Sequence, residues 1–227
     1  MVEARGQFSE ELARLEHQAL DGLEMVVAAV ERLLEALRSD NELLAARVVA
    51  DDDLIDDRYL LVHRGLLTLL ARQSPKATDL RLIAALLNVI GHMERMGDQC
   101  VNVAKLIPSE PDPALLALID EMCVRSGSLV RHAREAFSRR DLPLAEALVP
   151  EDDAVDLLNR RAFRLALEIG EDPDRRESAM YLMLAARCVE RLADNAVDIG
   201  EQTAFVVTGL FREFTDASRP ERPGEPR

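Results

Sequence analysis

Two short stretches carry acids at helical spacing. The first is Glu94-Arg95-Met96-Gly97-Asp98-Gln99-Cys100-Val101-Asn102. Ninety-six residues later comes Glu190-Arg191-Leu192-Ala193-Asp194-Asn195-Ala196-Val197-Asp198. Each holds an acid, a second acid four residues on, and an oxygen-bearing residue four further. On an α-helix such positions share a face, so three oxygen donors line up twice over. A donor set made only of oxygen suits Mg, Ca, Mn or iron better than zinc or copper.

The apolar residues around these acids predict where they sit. Leu80, Leu87, Glu94 and Val101 are spaced by sevens, with Ile83, Ile90, Gly97 and Ala104 as a companion row. That spacing predicts the buried seam of a packed helix, and Glu94 stands where a Leu is expected. In the second stretch Met183, Glu190 and Val197 form one row, and Ala179, Ala186, Ala193 and Gly200 the other. A carboxylate in a seam must be paired, protonated or bound to a cation. Gly97 and Ala193 are small and allow close approach. The competing reading leaves the acids in water, with Arg187 and Arg191 pairing with Glu190 and Asp194 at i±3. Two copies in register with the apolar rows weigh toward a cation site.

Each stretch has acids on the helix before it to complete a cluster. Asp52 and Asp56 lie four apart, as do Asp152 and Asp156. The first constellation is Asp52, Asp56, Glu94 and Asp98, with Asn102 as an extra oxygen. The second is Asp152, Asp156, Glu190, Asp194 and Asp198. Acid pairs crowded on neighbouring helices repel unless a cation lies between them. Pro150 replaces the Ala50 of the first copy, so the helix is expected to kink or restart there. Glu151, Asp152 and Asp153 would then occupy a first turn, where the helix dipole stabilises acids without any metal. That account weakens Asp152 as a ligand.

Other chemistries lack residues. None of His17, His63, His92 and His132 has a Glu three residues before it, so the Glu-x-x-His pairs of a ferritin-like oxidase centre are missing. No Ser/His/Asp or Cys/His set and no Gly-rich phosphate loop can be assembled, so no enzyme activity is expected. Cys100, Cys123 and Cys188 have no metal-ligand spacing and read as small buried residues in a reducing compartment. The net charge of −14 argues against a nucleic-acid binder; the clearest basic cluster, Arg160-Arg161 with Arg164, is short. No signal-peptide pattern opens the chain and no apolar run reaches about 18 residues, so a cytoplasmic, non-transmembrane protein is expected.

The elements that must position the acids are all helical. Hydrophobic content is 48%, yet there are six Phe, two Tyr and no Trp, as in an Ala/Leu/Val-built helical protein. The stripe Leu12, Leu15, Ala19, Leu23, Val26, Val30, Leu33 and Leu37 predicts a first helix from about Ser9 to Leu37. Ser39-Asp40-Asn41-Glu42 reads as a capping box for a second, ending near Gln73-Ser74-Pro75. A third covers about Thr78 to Leu106. The prolines from Pro108 to Pro113 form the one strong internal break, after which Asp112 as N-cap and Pro113 restart a fourth helix to about Arg140. Asp141 caps a fifth, and Asp172-Pro173 opens a sixth that reaches about Phe211. Shifted by 100, Glu35, Ala36, Leu44, Ala45, Val49, Asp52, Asp53 and Asp56 fall on identical residues; the third helices align at a shift of 96. The expected fold is all-α: two tandem three-helix bundles over 9–107 and 112–214, and a disordered polar tail over 215–227.

From about Leu12 to Phe211 the chain resembles the PhoU family. The residues that carry this are Asp79-Leu80-Arg81, Glu94 to Asp98 with Val101-Asn102, and Glu190 to Asp194 running into Phe205-Val206-Val207-Thr208-Gly209. The resemblance implies paired three-helix bundles, dimeric in some members. It also implies metal sites on the third helices, here Glu94 with Asp98 and Glu190 with Asp194, with acids of the second helices adding ligands. Iron, zinc, manganese, magnesium and nickel all occur in such proteins, so a divalent or trivalent ion is implied without its identity. Functionally it implies a negative regulator of the phosphate-starvation response, peripheral to membrane complexes. Such an adaptor links the ATPase subunit of the phosphate ABC transporter to the phosphate sensor histidine kinase. The alternative is a carboxylate-bundle metal store or metal-dependent redox protein.

Overall fold

Among the described residues seven α-helices follow one another: α1 (Val2–Ser39), α2 (Glu42–Arg72), α3 (Ala77–Leu106), α4 (Pro113–Arg139), α5 (Leu142–Glu146), α6 (Leu148–Ile169) and α7 (Arg176–Thr208). They are seen in a computed structural model that describes residues 2–39, 41–72 and 75–214, with side chains from residue 6 onward. Among the described residues there is no strand, and no helix is long and apolar enough to cross a membrane. The proposed tail over 215–227 lies outside them.

The helix boundaries follow local chemistry. Asn41 Oδ1 accepts the backbone N–H groups of Leu43 at 3.0 Å and Leu44 at 3.2 Å, so Asn41 is the cap of α2. The capping box expected from Ser39 does not form, because the Ser39 hydroxyl donates back to the Glu35 carbonyl; Asp40 lies outside the described residues. Asp112 accepts from the N–H of Ala114 and Leu115, with Pro113 behind it at the start of α4, as expected. The fifth helix is not continuous. Asp141 caps only the short α5, and the chain restarts at Leu148, which puts Pro150 in the first turn of α6, where its missing N–H leaves no bond unmade. The last helix opens at Arg176, later than Pro173, since Asp172 Oδ1 takes the Asp174 N–H in a turn. It stops at Thr208, short of Phe211, where Gly209 adopts φ 77° and closes the end in a left-handed conformation. The first helix extends back to Val2 rather than Ser9, nothing in between breaking it.

Each half contributes three long helices, α1–α3 and then α4, α6 and α7, but the two do not keep separate cores. α3 packs more extensively on α7 than on α1 or α2, and α1 packs on α4, so one continuous apolar core runs through both halves. α7 lies at its centre and is buried on nearly every side from Leu192 to Ala204. Polar groups cross the α3–α7 boundary: Asn88 Nδ2 donates to Gln202 Oε1 at 3.1 Å. His92 Nδ1 lies 2.9 Å from Asn195 Oδ1. Asn195 Nδ2 donates to the Arg191 carbonyl, so its oxygen faces the ring and the His92 proton sits on Nδ1.

The heptad row on α3 is not the uniform seam its spacing suggests. Leu80 is 49% exposed, Leu87 and Glu94 are half-buried, and only Val101 is buried. A straight helix drifts about 20° per heptad against a strict seven-residue row, so a row that starts at the surface turns into the core over three heptads. On α7 the row is deeper, and Glu190 is 6% exposed.

Candidate metal centre

The second-half acids come from two facing helices. Asp152 and Asp156 sit one turn apart on α6, while Glu190 and Asp194 sit one turn apart on α7. Carboxylate oxygens of Asp156, Glu190 and Asp194 all lie within 4.8 Å of one another. Among the described residues no other group of three or more acids, His or Cys offers ligand atoms so close. The spacing suits a single ion between α6 and α7 rather than a string of separate surface charges.

Burial makes this cluster costly as it stands. Asp152 and Glu190 are both buried, and Asp152 Oδ1 and Glu190 Oε2 have no hydrogen-bond partner. An unpaired buried oxygen on a charged group forfeits a few kcal/mol of solvation. Burial first, and then the charges of Asp194, Asp156 and Glu190, push the Asp152 carboxyl up to about 7. Burial and the Asp194 charge push Glu190 up to about 7, against the pull of Arg187. Asp194 is raised by burial and by Asp156. The acid in the first turn of α6 is Glu151, and Asp152 follows it with its carboxyl raised chiefly by burial. Two guanidiniums offset part of the charge: Arg187 pairs with Glu190, and Arg160 pairs with Asp156 at 3.2 Å. An oxygen-only donor set, two buried unpaired oxygens and partial neutralisation by arginine all fit a hard cation. Asp156, Glu190 and Asp194 would hold it, and the buried Asp152 adds its charge beside them.

Asp198 is placed elsewhere. Its Oδ2 lies 3.3 Å from His92 Nδ1 on α3, across the boundary between the halves. It ties α7 to α3 and is outside the trio.

The first-half acids gather more loosely. Asp52 is half-buried, and its carboxyl is pushed up to about 6 by burial and then by Asp56, Asp98, Asp53 and Glu94. Asp56 is raised by burial and Asp98. Glu94 is raised by burial, Asp98 and Asp56. All four therefore feel one another, but Asp98 and Asn102 are exposed. Gly97 is what lets Asp52 in: a Cβ at 97 would stand 2.6 Å from Asp52 Oδ1 and 3.2 Å from Ile55 Cδ1. Gly97→Ala should therefore displace the Asp52 carboxylate. Helix propensity returns up to about 1 kcal/mol against roughly 1–3 kcal/mol for overpacking. The expected outcome is a small stability loss and a larger loss of cation affinity in this half, read by titration calorimetry. Unaltered affinity would remove Asp52 from the site.

The i±3 pairing of Arg187 with Glu190 is legible in the sequence, and it forms in the structure. The Arg160–Asp156 pair is not among the residues the pattern picks out, although its i, i+4 spacing signals it. The His92–Asp198 contact joins residues more than a hundred apart and has no local signal.

Comparison with known proteins bears on the fold and the repeat. The PhoU domain family matches residues 21–107 and 119–203, one match per half. A phosphate-specific transport system accessory protein PhoU homolog of Zymomonas mobilis is 31% identical over 210 residues, covering 89% of this chain and 87% of the relative. A protein of the same description from Clostridium acetobutylicum is 28% identical, covering 92% and 98%. The crystal structure of PhoU from Pseudomonas aeruginosa superposes with a TM-score of 0.84 at 27% identity, over 89% of this chain and 100% of that one. Two matched halves, relatives aligned over nearly their full length and a shared fold together establish that the chain belongs to the PhoU family.

Proposed function

We propose that this chain is a metal-binding accessory and regulator of phosphate uptake. In this reading it acts in the cytoplasm as an adaptor, peripheral to membrane complexes and without enzyme activity. It links the ATPase subunit of the phosphate ABC transporter to the phosphate sensor histidine kinase and represses the starvation response when phosphate is plentiful. It works as a homodimer. The observation that carries the phosphate role is the full-length likeness to relatives described as phosphate-specific transport system accessory proteins. The observation that carries the metal is the Asp156–Glu190–Asp194 trio with its unpaired buried neighbours. When bound, the ion supplies charge neutralisation between α6 and α7. The residues themselves fix the distance between those helices.

The metal-store reading has the same acid trio in its favour but no Glu-x-x-His pair to drive oxidation. Two measurements separate the readings. Deleting the gene should turn on phosphate-scavenging genes in phosphate-rich medium, and capture of the tagged chain from such cells should recover the transporter ATPase or the kinase. A deletion strain with normal repression, together with oxygen-dependent iron oxidation by the purified chain, would reverse the conclusion.

A further inference from the structure

The basic cluster that stands out in the sequence is only partly explained by the acid site. Arg160 and Arg187 reach Asp156 and Glu190. Arg164 instead donates from Nε to the Arg160 carbonyl at 3.3 Å. α4 covers one side of the α6–α7 pair. The uncovered side holds an open groove of about 720 Å³, lined among others by Leu157, Arg160, Phe163, Arg164, Leu184 and Arg187.

Its lining combines exposed apolar side chains with arginines. Leu157, Phe163 and Leu184 are 55%, 50% and 46% exposed. Single exposed apolar residues mean little, but several meeting in one groove between two helices mark an interaction surface. Residues 157–167 contain three arginines and no acid, and 178–189 contain Arg187 and no acid, in a chain whose net charge is −14. The groove is thus an apolar trough edged by guanidiniums on an otherwise acidic protein. The first half keeps Arg64 in the place of Arg164 but has Leu60 where Arg160 stands and Gly91 where Arg187 stands, so the basic edge is fuller in this half.

We propose that this groove docks an acidic amphipathic helix of a partner protein. Two packed helices with an open apolar furrow accept a third helix, whose i, i+3, i+4 and i+7 residues fill the furrow. The eleven positions from Leu157 to Leu167 span about 15 Å, roughly three turns of a docked helix. Glu and Asp flanking its apolar stripe would meet Arg160, Arg164 and Arg187, and carboxylates suit the planar guanidinium fork. A second copy of this chain fits less well, because a two-fold contact would set the arginine edge against itself. A nucleic-acid strand fits less well too, because half-exposed Leu and Phe occupy the positions where phosphates would need charge. The groove gives the adaptor reading a surface, yet it stands on its own chemistry and its test involves no phosphate regulation.

The test uses the full chain and a fluorescein-labelled 18-residue helical peptide with Leu at the helical stripe and Glu flanking it. A matched peptide with Lys in place of Glu serves as control. Fluorescence anisotropy should show saturable binding of the Glu peptide, about tenfold or more tighter than the Lys peptide, weakening as salt rises. Arg164→Glu and Phe163→Ala should each weaken it by about tenfold. Neither should change the circular dichroism spectrum or the melting temperature, since both residues are exposed. Equal binding of the two peptides, or native affinity in both variants, would overturn the proposal. So would sedimentation showing that the variants alter self-association of the chain instead.

Discussion

Adding Mn2+ to the metal-free protein at pH 8 is expected to raise its melting temperature by about 5–10 °C, and Glu190→Gln to remove most of that gain. The size follows from linkage. An ion at a hundred times its dissociation constant stabilises the folded state by about 2.7 kcal/mol, and each kcal/mol shifts a domain of this size by about 2–4 °C. The residue follows from geometry. Glu190 is the most buried member of the trio, and one of its oxygens has no partner. Its Arg187 pair supplies only one side of the carboxylate. Gln keeps the shape and loses the charge, so it should bind the ion poorly. It should also melt higher than the native chain when both are metal-free, because it removes repulsion from Asp194 and Asp156. Water screening at the half-buried Asp194 limits that gain to about 1–2 kcal/mol. The two signs together are diagnostic. A variant that loses stability without metal would mean that the Arg187 pair outweighs the repulsion. A variant that keeps the full Mn2+ response would place the ion elsewhere.

The acid clusters were legible because they violate a pattern. Glu190 interrupts an otherwise apolar row, and the structure buries it there. The same reasoning overreached at Leu80 and Glu94, because a strict seven-residue row rotates around a straight helix and only part of it faces the core. The doubled motif predicted two bundles, and each half does bring its four acids into electrostatic reach of one another. The sequence could not rank them. Pro150 points away from Asp152, yet Asp152 is buried in the restarted α6. Local turn chemistry explains the remaining boundary differences, at Asn41, Asp172 and Gly209. The merging of the two halves into one core had no local signal. It rests on which faces of α3 and α7 meet, and Asn88, His92, Asn195, Asp198 and Gln202 lie too far apart in the chain for spacing to reveal it.

Without metal, the protein should lose stability as pH rises from about 4.5 to 8, the reverse of the usual behaviour of paired carboxylates. Asp52 is raised to about 6, and Asp152 and Glu190 to about 7; Asp56, Glu94 and Asp194 are raised as well. Burial is the leading cause in each. Between the ordinary carboxylate range and these raised values the folded chain holds protons that the unfolded chain has released. Stability then falls with pH, because the folded state binds more protons. The contribution is fully present below about pH 4 and is lost as pH rises through 6 and then 7. One pKa unit corresponds to about 1.4 kcal/mol. Coupling within each cluster, screening by water and the opposite contribution of His92, whose pKa burial lowers, leave a total on the order of 2–4 kcal/mol. Urea melts from pH 4.5 to 8 in chelator would read it as a falling midpoint at constant slope. Saturating Mn2+ should flatten or invert the profile, since a cation needs the deprotonated ligands and binds more tightly as they ionise. A metal-free midpoint that climbs with pH would mean that the carboxylates are held by pairing rather than strained by burial, and Arg187 and Arg160 would then be sufficient partners for the site.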